Sequence, residues 1–199
     1  MFDELKDELP LYDLLRRVFL KEPSEELLRL LRDMPFEERD NSDGVSLMVA
    51  EVRACPGNLR QCADRLATEY TKLFLGPVRI PVVPFASFYL SETGQLMTDE
   101  TIDVRKRYLE AGMKVQQIYS VPDDHIGIEL EFLFFLTGKI LELHDAGQDA
   151  EASRFYELRQ SFLREHCMLW FPSFSGRILA STENAFFRGA AVLLRECVA

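Results

Sequence analysis

Within one short stretch, Asp123, Asp124 and His125 follow one another and Glu129 stands four positions beyond the histidine. On a helix His125 and Glu129 share a face at a spacing open to two metal ligands, but a stable site needs three or four. No HExxH pattern is present, and His144 and His166 belong to other helical faces or segments. The plain structural use of these residues is different: the aspartates cap a helix N-terminus and complement its dipole, and the histidine is a hydrogen-bonded core residue. The functional use of His125 is a hydrogen bond to a neighbouring loop or to a bound peptide. An imidazole titrating near neutrality would make such binding sensitive to pH, in a direction the sequence does not set.

Other reactive residue types lack a supporting pattern. A phosphate-cradling loop requires G-x-x-x-x-G-K-[ST], and at Gly138-Lys139 the first glycine is replaced by Leu133 and the Ser or Thr by Ile140. Ser87 and Ser173 have no G-x-S-x-G context, and His166 beside Cys167 is a neighbour pair in sequence, not a catalytic dyad. The enzyme class kept as the alternative is an all-helical metal- or nucleotide-dependent hydrolase using Asp123, Asp124, His125 and Glu129. A helical adaptor that oligomerises is a third, plainer reading.

The element that must position the acidic cluster is the helix it opens. Pro122 suits a first helical turn, and Asp123 or Asp124 suits the cap. Ile126, Leu130, Leu133 and Phe134 fall at helical spacing, and Ile128, Phe132, Leu136 and Ile140 make the remaining surface apolar. Such a helix, running to about Leu143, is buried nearly all round.

The rest of the chain reads as helix after helix. Leu5, Leu9, Tyr12, Leu15, Val18 and Phe19 form a first stripe. Ser24 caps a second helix, Val45 to Val52 form a third, and Asn58 caps a fourth that continues through Leu66 and Tyr70 to Phe74. The segment Gly76 to Gly94 breaks the pattern with prolines and glycines among Ile, Val, Phe and Tyr, and an apolar loop of that length is functional or mobile. Thr98 caps the next helix; after the central one come helices over about 150–167, 170–180 and 184–197. Trp170, Phe171 and Phe174 read as core aromatics. The expected fold is all-α, one globular domain of 1–199 with about eight to ten helices: a helical half 1–75, an irregular Pro-rich loop 76–97 and a helical half 98–199.

Composition narrows the function. A chain of 199 residues can bury a real core, and a formal charge of -10 argues against nucleic acid, which needs a concentrated basic face. The four cysteines, Cys55, Cys62, Cys167 and Cys197, show no CxxC spacing and read as reduced, mostly structural thiols of a cytosolic protein. The acidic, amphipathic N-terminus lacks the features of a secretory signal, and the most apolar stretch carries Glu129, Glu131 and Lys139, so no stable membrane insertion is expected. The expected location is cytoplasmic.

Three blocks resemble one known family. The first is EYTKLFLGP, Glu69 to Pro77, followed by Pro81, Pro84, Ser87 and Tyr89; the second is PDDHIGIELEF, Pro122 to Phe132; the third is FLREHCMLWFPSF, Phe162 to Phe174, with His166 and Trp170 at His-x-x-x-Trp spacing. In this order they are similar to the redox-enzyme maturation chaperones of the TorD/DmsD/NarJ type. Ala86 and Val121 stand where that family often carries Glu, which leaves the subgroup and the client enzyme unassigned.

The resemblance implies a TorD-like fold and no catalysis, with no resident cofactor or metal. Its implied partner is the N-terminal, twin-arginine signal peptide of a molybdenum-cofactor oxidoreductase, whose apo form is held until the cofactor is inserted. Weak contact with nucleotide or molybdenum cofactor is associated with the family, and nothing here locates it; monomer and homodimer both stay open, since long connectors permit helix exchange. Two guanidinium groups followed by an apolar stretch call for carboxylates beside an apolar groove. The implied peptide-binding set is therefore Tyr70, Leu73, Phe74, Gly76, Pro77, Pro81, Pro84, Phe85, Ser87, Tyr89, Asp123, Asp124, His125 and Glu129.

Overall fold

Several helix starts are set locally in this chain, at a short polar side chain that takes up a free amide. The computed structural model describes residues 2–35, 43–76, 80–92, 94–113 and 121–198. Its helices are α1 (Phe2–Leu20), α2 (Glu25–Asp33), α3 (Gly44–Ala54), α4 (Leu59–Tyr70), α5 (Ala86–Leu90), α6 (Asp99–Glu110), α7 (Ile126–Asp145), α8 (Asp149–Phe162), α9 (Met168–Ser181) and α10 (Ala185–Glu196). The fold is all-α, with no strand among the described residues.

Ser24 Oγ accepts from the Leu27 amide at 3.3 Å, and Asn58 forms a reciprocal capping box with Gln61 at 3.0 and 3.1 Å. Both caps stand where the sequence puts them. Thr98 occupies the cap position of α6, but its hydroxyl bonds the Glu100 carboxylate and makes no capping bond to a backbone amide. The Pro-rich segment is not wholly irregular either, since it holds the short helix α5.

Two turns depart from α geometry. Thr71–Leu75 and Leu163–Cys167 are π-helical, each continuing the preceding helix, so that α8, its π turn and α9 follow without a break. The first ends where the Gly76 amide reaches back to the Thr71 carbonyl at 2.7 Å, and Gly76 then turns the chain with a φ of 53°. A side chain there would be strained, which is why glycine closes this turn.

The chain divides into two compact units, each built from separate stretches: Met1–Arg16 with Phe85–Trp170, and Arg17–Pro84 with Phe171–Cys197. In the first, Arg159 is almost fully buried and bonds the Thr137 hydroxyl at 3.1 Å, the Tyr12 hydroxyl at 3.0 Å and the Glu8 carboxylate, joining α1, α7 and α8. In the second, α3 crosses α10 where Gly44 faces Gly189.

One expectation is corrected in this second unit. Cys55 and Cys62 do not stand as separate thiols: they form a disulfide, with their Cα atoms 6.0 Å apart. The Pro56-Gly57 turn folds the end of α3 back onto the first turn of α4, so a spacing without a CxxC signature still brings the two sulfurs together.

The glycine crossing is testable. A Cβ on Gly189 would overlap the Gly44 carbonyl oxygen and come within 2.8 Å of Met48 Cγ, whereas a Cβ on Gly176 meets nothing within 4 Å. Gly189→Ala is expected to lower stability by about 2 kcal/mol, or roughly 4–8 °C in melting temperature. Gly176→Ala, at an open helical site, is expected to be neutral or slightly stabilising. Equal melting temperatures for the two variants would show that α3 and α10 do not approach at these glycines.

Candidate functional site

The acidic turn is built differently from the sequence expectation. The central helix begins at Ile126, not at Pro122, and its cap is His125, whose Nδ1 accepts from the Gly127 amide at 3.1 Å. The aspartates are thereby released from capping their own helix. Asp124 caps another one: its carbonyl accepts from the Ala86 amide at 2.9 Å and its Oδ2 from the Ser87 amide at 2.8 Å, both at the start of α5. Beside this pair, Phe85 bridges His125 through the backbone, and their rings meet edge to face at 5.3 Å.

Asp123 is held from α6. The Tyr108 hydroxyl donates to its carbonyl at 2.9 Å, and Arg105 Nε donates to its Oδ2. Asp123 and Asp124 are 1% and 0% exposed, yet Oδ1 of each, with Ser87 Oγ, has no hydrogen-bond partner. Buried carboxylates ordinarily have their lone pairs filled, so this turn has acceptor capacity in excess of its donors.

Glu129 serves a second network. It is fully buried; its Oε1 lies 2.7 Å from His166 Nε2, and its Oε2 accepts from Trp170 Nε1 at 3.1 Å. Burial pushes the Glu129 carboxyl up, and the His166 imidazole opposes that rise. The π turn Leu163–Cys167 carries His166, whose ring stacks on Phe162 at 5.1 Å, while Tyr89 packs against Trp170 at 5.4 Å. His166 is the residue that reading by faces misses, and Trp170 is more than a core aromatic. Their i, i+4 spacing is the signal that could have paired them on one carboxylate.

The remaining predicted residues lie in the other unit. Phe74 and Leu73 are buried on the π turn after α4, and the Val82 amide returns to the Leu73 carbonyl at 3.1 Å. Phe74 packs on Phe19 at 5.9 Å, Tyr70 at 5.0 Å, Phe174 at 6.1 Å and Phe187 at 5.9 Å. The Tyr70 hydroxyl donates to the Phe19 carbonyl at 3.0 Å, and burial, with Glu22 nearby, pushes its pKa up to about 12. Gly76 and Pro84 belong to the same unit, and Pro81 is exposed there. Pro77 lies outside the described residues.

The predicted set thus falls into an aromatic group and an acidic group. The structure brings Phe85, Ser87, Asp124 and His125 into direct contact and links Tyr89 to Glu129 through Trp170. It does not converge Asp123, Asp124, His125 and Glu129 on one point, since each is committed to a different partner.

A family profile described as nitrate reductase delta subunit matches residues 20–175. The chain belongs to that family. Among its relatives, the chaperone protein TorD of Vibrio vulnificus strain YJ016 is 29% identical over 202 residues, covering 97% of this chain and 91% of the relative. The chaperone protein TorD of Vibrio cholerae strain O395 is 27% identical over 206 residues, with the same coverage of both chains. A crystal structure from Archaeoglobus fulgidus, described as a redox enzyme maturation protein, superposes with a TM-score of 0.56 over 96% of this chain and 94% of that one. At 21% identity that likeness is one of fold. As a member of this delta-subunit family, the chain is a maturation chaperone of the TorD/NarJ kind and not an enzyme. No helix among the described residues is long and apolar enough to cross a membrane.

The environment of His125 makes a pH prediction. Burial holds its ring at about 4, below the ordinary 6.5, with the Asp124 charge pulling the other way. The unfolded chain therefore takes up this proton at a higher pH than the folded one. The stability from His125 is complete above about pH 6.5 and is lost as pH falls toward 4, by about 3 kcal/mol in all. His125→Asn keeps a capping acceptor and removes the titration. Denaturant melts between pH 7 and pH 4 are expected to show the wild type losing that much relative to the variant; a pH-independent difference would show that the folded ring titrates normally.

Proposed function

We propose that this chaperone binds the N-terminal signal peptide of a molybdenum-cofactor oxidoreductase, of twin-arginine type, and holds the apoenzyme in the cytoplasm until the cofactor is inserted. The observation that carries this reading is the state of the acidic turn. Two neighbouring buried carboxylates each keep an oxygen without a donor, and one of them already engages a guanidinium, that of Arg105. A second guanidinium is the group that fits such a deficit, because its planar fork supplies several donors and carries the compensating charge. The naming of relatives as TorD chaperones points the same way.

The Arg105 side chain is 43% exposed while its partner carboxylate is buried. An incoming arginine reaches Asp123 by moving Arg105, which offers one Nε contact where a free guanidinium can offer two. The apolar part of a leader has half-buried Phe85 and Tyr89, which belong to the same unit as the acidic turn.

Asp124→Asn retains an oxygen for the Ser87 amide and removes one charge. It is expected to leave the melting temperature nearly unchanged and to weaken binding of a synthetic twin-arginine leader, measured by calorimetry, about 5- to 100-fold, or roughly 1–3 kcal/mol. Replacing both leader arginines by lysine should weaken binding as well, and added salt should cost the wild type more than the variant. Equal affinity and equal salt dependence for both proteins would remove Asp124 from the site and leave it as the cap of α5 alone.

A further inference from the structure

We propose that Cys55 and Cys62 form a reversible thiol–disulfide site, closed by a two-electron oxidant of the hydrogen peroxide class and reopened by a dithiol reductant. Three features of the second unit carry this. The first is that the backbone holds the two residues together without help from the bond. Pro56 and Gly57, the latter with a φ of 92°, reverse the chain after α3, and the Asn58–Gln61 capping box at 3.0 and 3.1 Å starts α4 immediately. The 6.0 Å between the Cα atoms thus follows from a turn that reduced cysteines would share.

The second feature is an asymmetry between the two sulfurs. Cys55 is partly exposed at the end of α3, whereas Cys62 is 1% exposed on α4. An oxidant meets Cys55 first. Cys62 stands behind it, in the position of a resolving thiol.

The third feature is Arg65. Its guanidinium donates to Cys55 Sγ from an exposed side chain one turn beyond Cys62. In the reduced chain the same cation would stand beside the Cys55 thiolate, the form that reacts.

The chemistry balances. The Cys55 thiolate attacks one oxygen of hydrogen peroxide, the O–O bond breaks, and Cys55 sulfenic acid and hydroxide result. The Cys62 thiol, giving its proton to that hydroxide, attacks the Cys55 sulfur; the S–O bond breaks and the S–S bond forms. The hydroxide that leaves in this step takes up the proton Cys55 lost on ionising, so two thiols and one peroxide yield one disulfide and two waters. In a compartment that keeps thiols reduced, a disulfide is transient or redox-sensing. That last step rests on the cytoplasmic placement above, while the geometry stands apart from the peptide reading. Closing the pair clips α3 to the first turn of α4, the helix that runs directly into the π turn bearing Leu73 and Phe74.

The test uses the full chain. Protein reduced with dithiothreitol and desalted without air is exposed to stepwise hydrogen peroxide, alkylated in denaturant and mapped by mass spectrometry. Alkylatable thiols are expected to fall from four to two, with Cys55 and Cys62 recovered as the linked pair, Cys167 and Cys197 still thiols, and all four restored by dithiothreitol acting on the folded protein. The reduced form is expected to melt roughly 5 °C lower. In Cys62→Ser, a dimedone probe should trap the Cys55 sulfenic acid. Arg65→Gln, which changes only an exposed side chain, should slow pairing several-fold while leaving the melt of the reduced protein unchanged. The proposal is overturned if peroxide leaves four thiols, if oxidation instead consumes Cys167 or Cys197, if Arg65→Gln pairs at the wild-type rate, or if folded, oxidised protein resists dithiothreitol and so carries a permanent staple. None of these results bears on leader binding.

Discussion

Two successive amides at the start of α5, those of Ala86 and Ser87, end on Asp124, a residue far along the chain and wholly buried. A helix of five residues cannot sustain itself, because one turn fixes too many dihedral angles for the bonds it gains. Its start is therefore held from outside. Once Asp124 is turned toward α5, it no longer serves the helix that follows it, and His125 must take over as the cap of α7. That role requires a neutral imidazole with a free lone pair on Nδ1, the protonation state that burial favours. The acidic turn, the proline-rich segment and the central helix are thus tied through a single carboxylate.

Glu129 repeats the logic one turn further along the same helix. A buried carboxylate without donors would cost several kcal/mol, and here the donors come from a different part of the chain, His166 on a π turn and Trp170 on α9. The π turn inserts an extra residue into an otherwise continuous rod. The rod reaches Glu129 with an imidazole on the turn and an indole just after it. The same device follows α4, where it buries Leu73 and Phe74 together and Gly76 brings it to an end.

What was legible in the sequence was whatever is settled within a few residues. Ser24 and Asn58 are caps because the amides they satisfy lie three positions away, and the apolar stripe of α1 and the apolar surface all round α7 are visible in the spacing of their residues. The family resemblance was legible in three blocks, and two of them contain the π turns. The turns themselves were not, since a bond from residue i to i+5 leaves no mark in composition. The start of α7 was misplaced because Pro122 and the aspartates make a good local cap and the competitor for Asp124, α5, is distant in sequence. The cysteine pair was missed because its proximity comes from the Pro56-Gly57 turn rather than from a recognised spacing. In the candidate site, residue types were legible, but the division of their bonds among Ser87, Arg105, His166 and Trp170 required the fold.

The two compact units are interleaved along the chain, and this has a consequence for synthesis. The unit formed by Arg17–Pro84 and Phe171–Cys197 needs α10 to cover α3, which is made much earlier: Gly44 meets Gly189 only after α4 to α9 have been made. The other unit waits in the same way for α7 and α8 before Tyr12 can meet Arg159. Large proteins commonly complete their N-terminal domains while the ribosome is still at work, and contacts this distant in sequence form slowly. Each of the two units instead combines an early stretch with a late one. While α2 can pack on α3 and α4 early, the face of α3 that α10 covers stays bare until α10 is made, which leaves apolar surface open during synthesis.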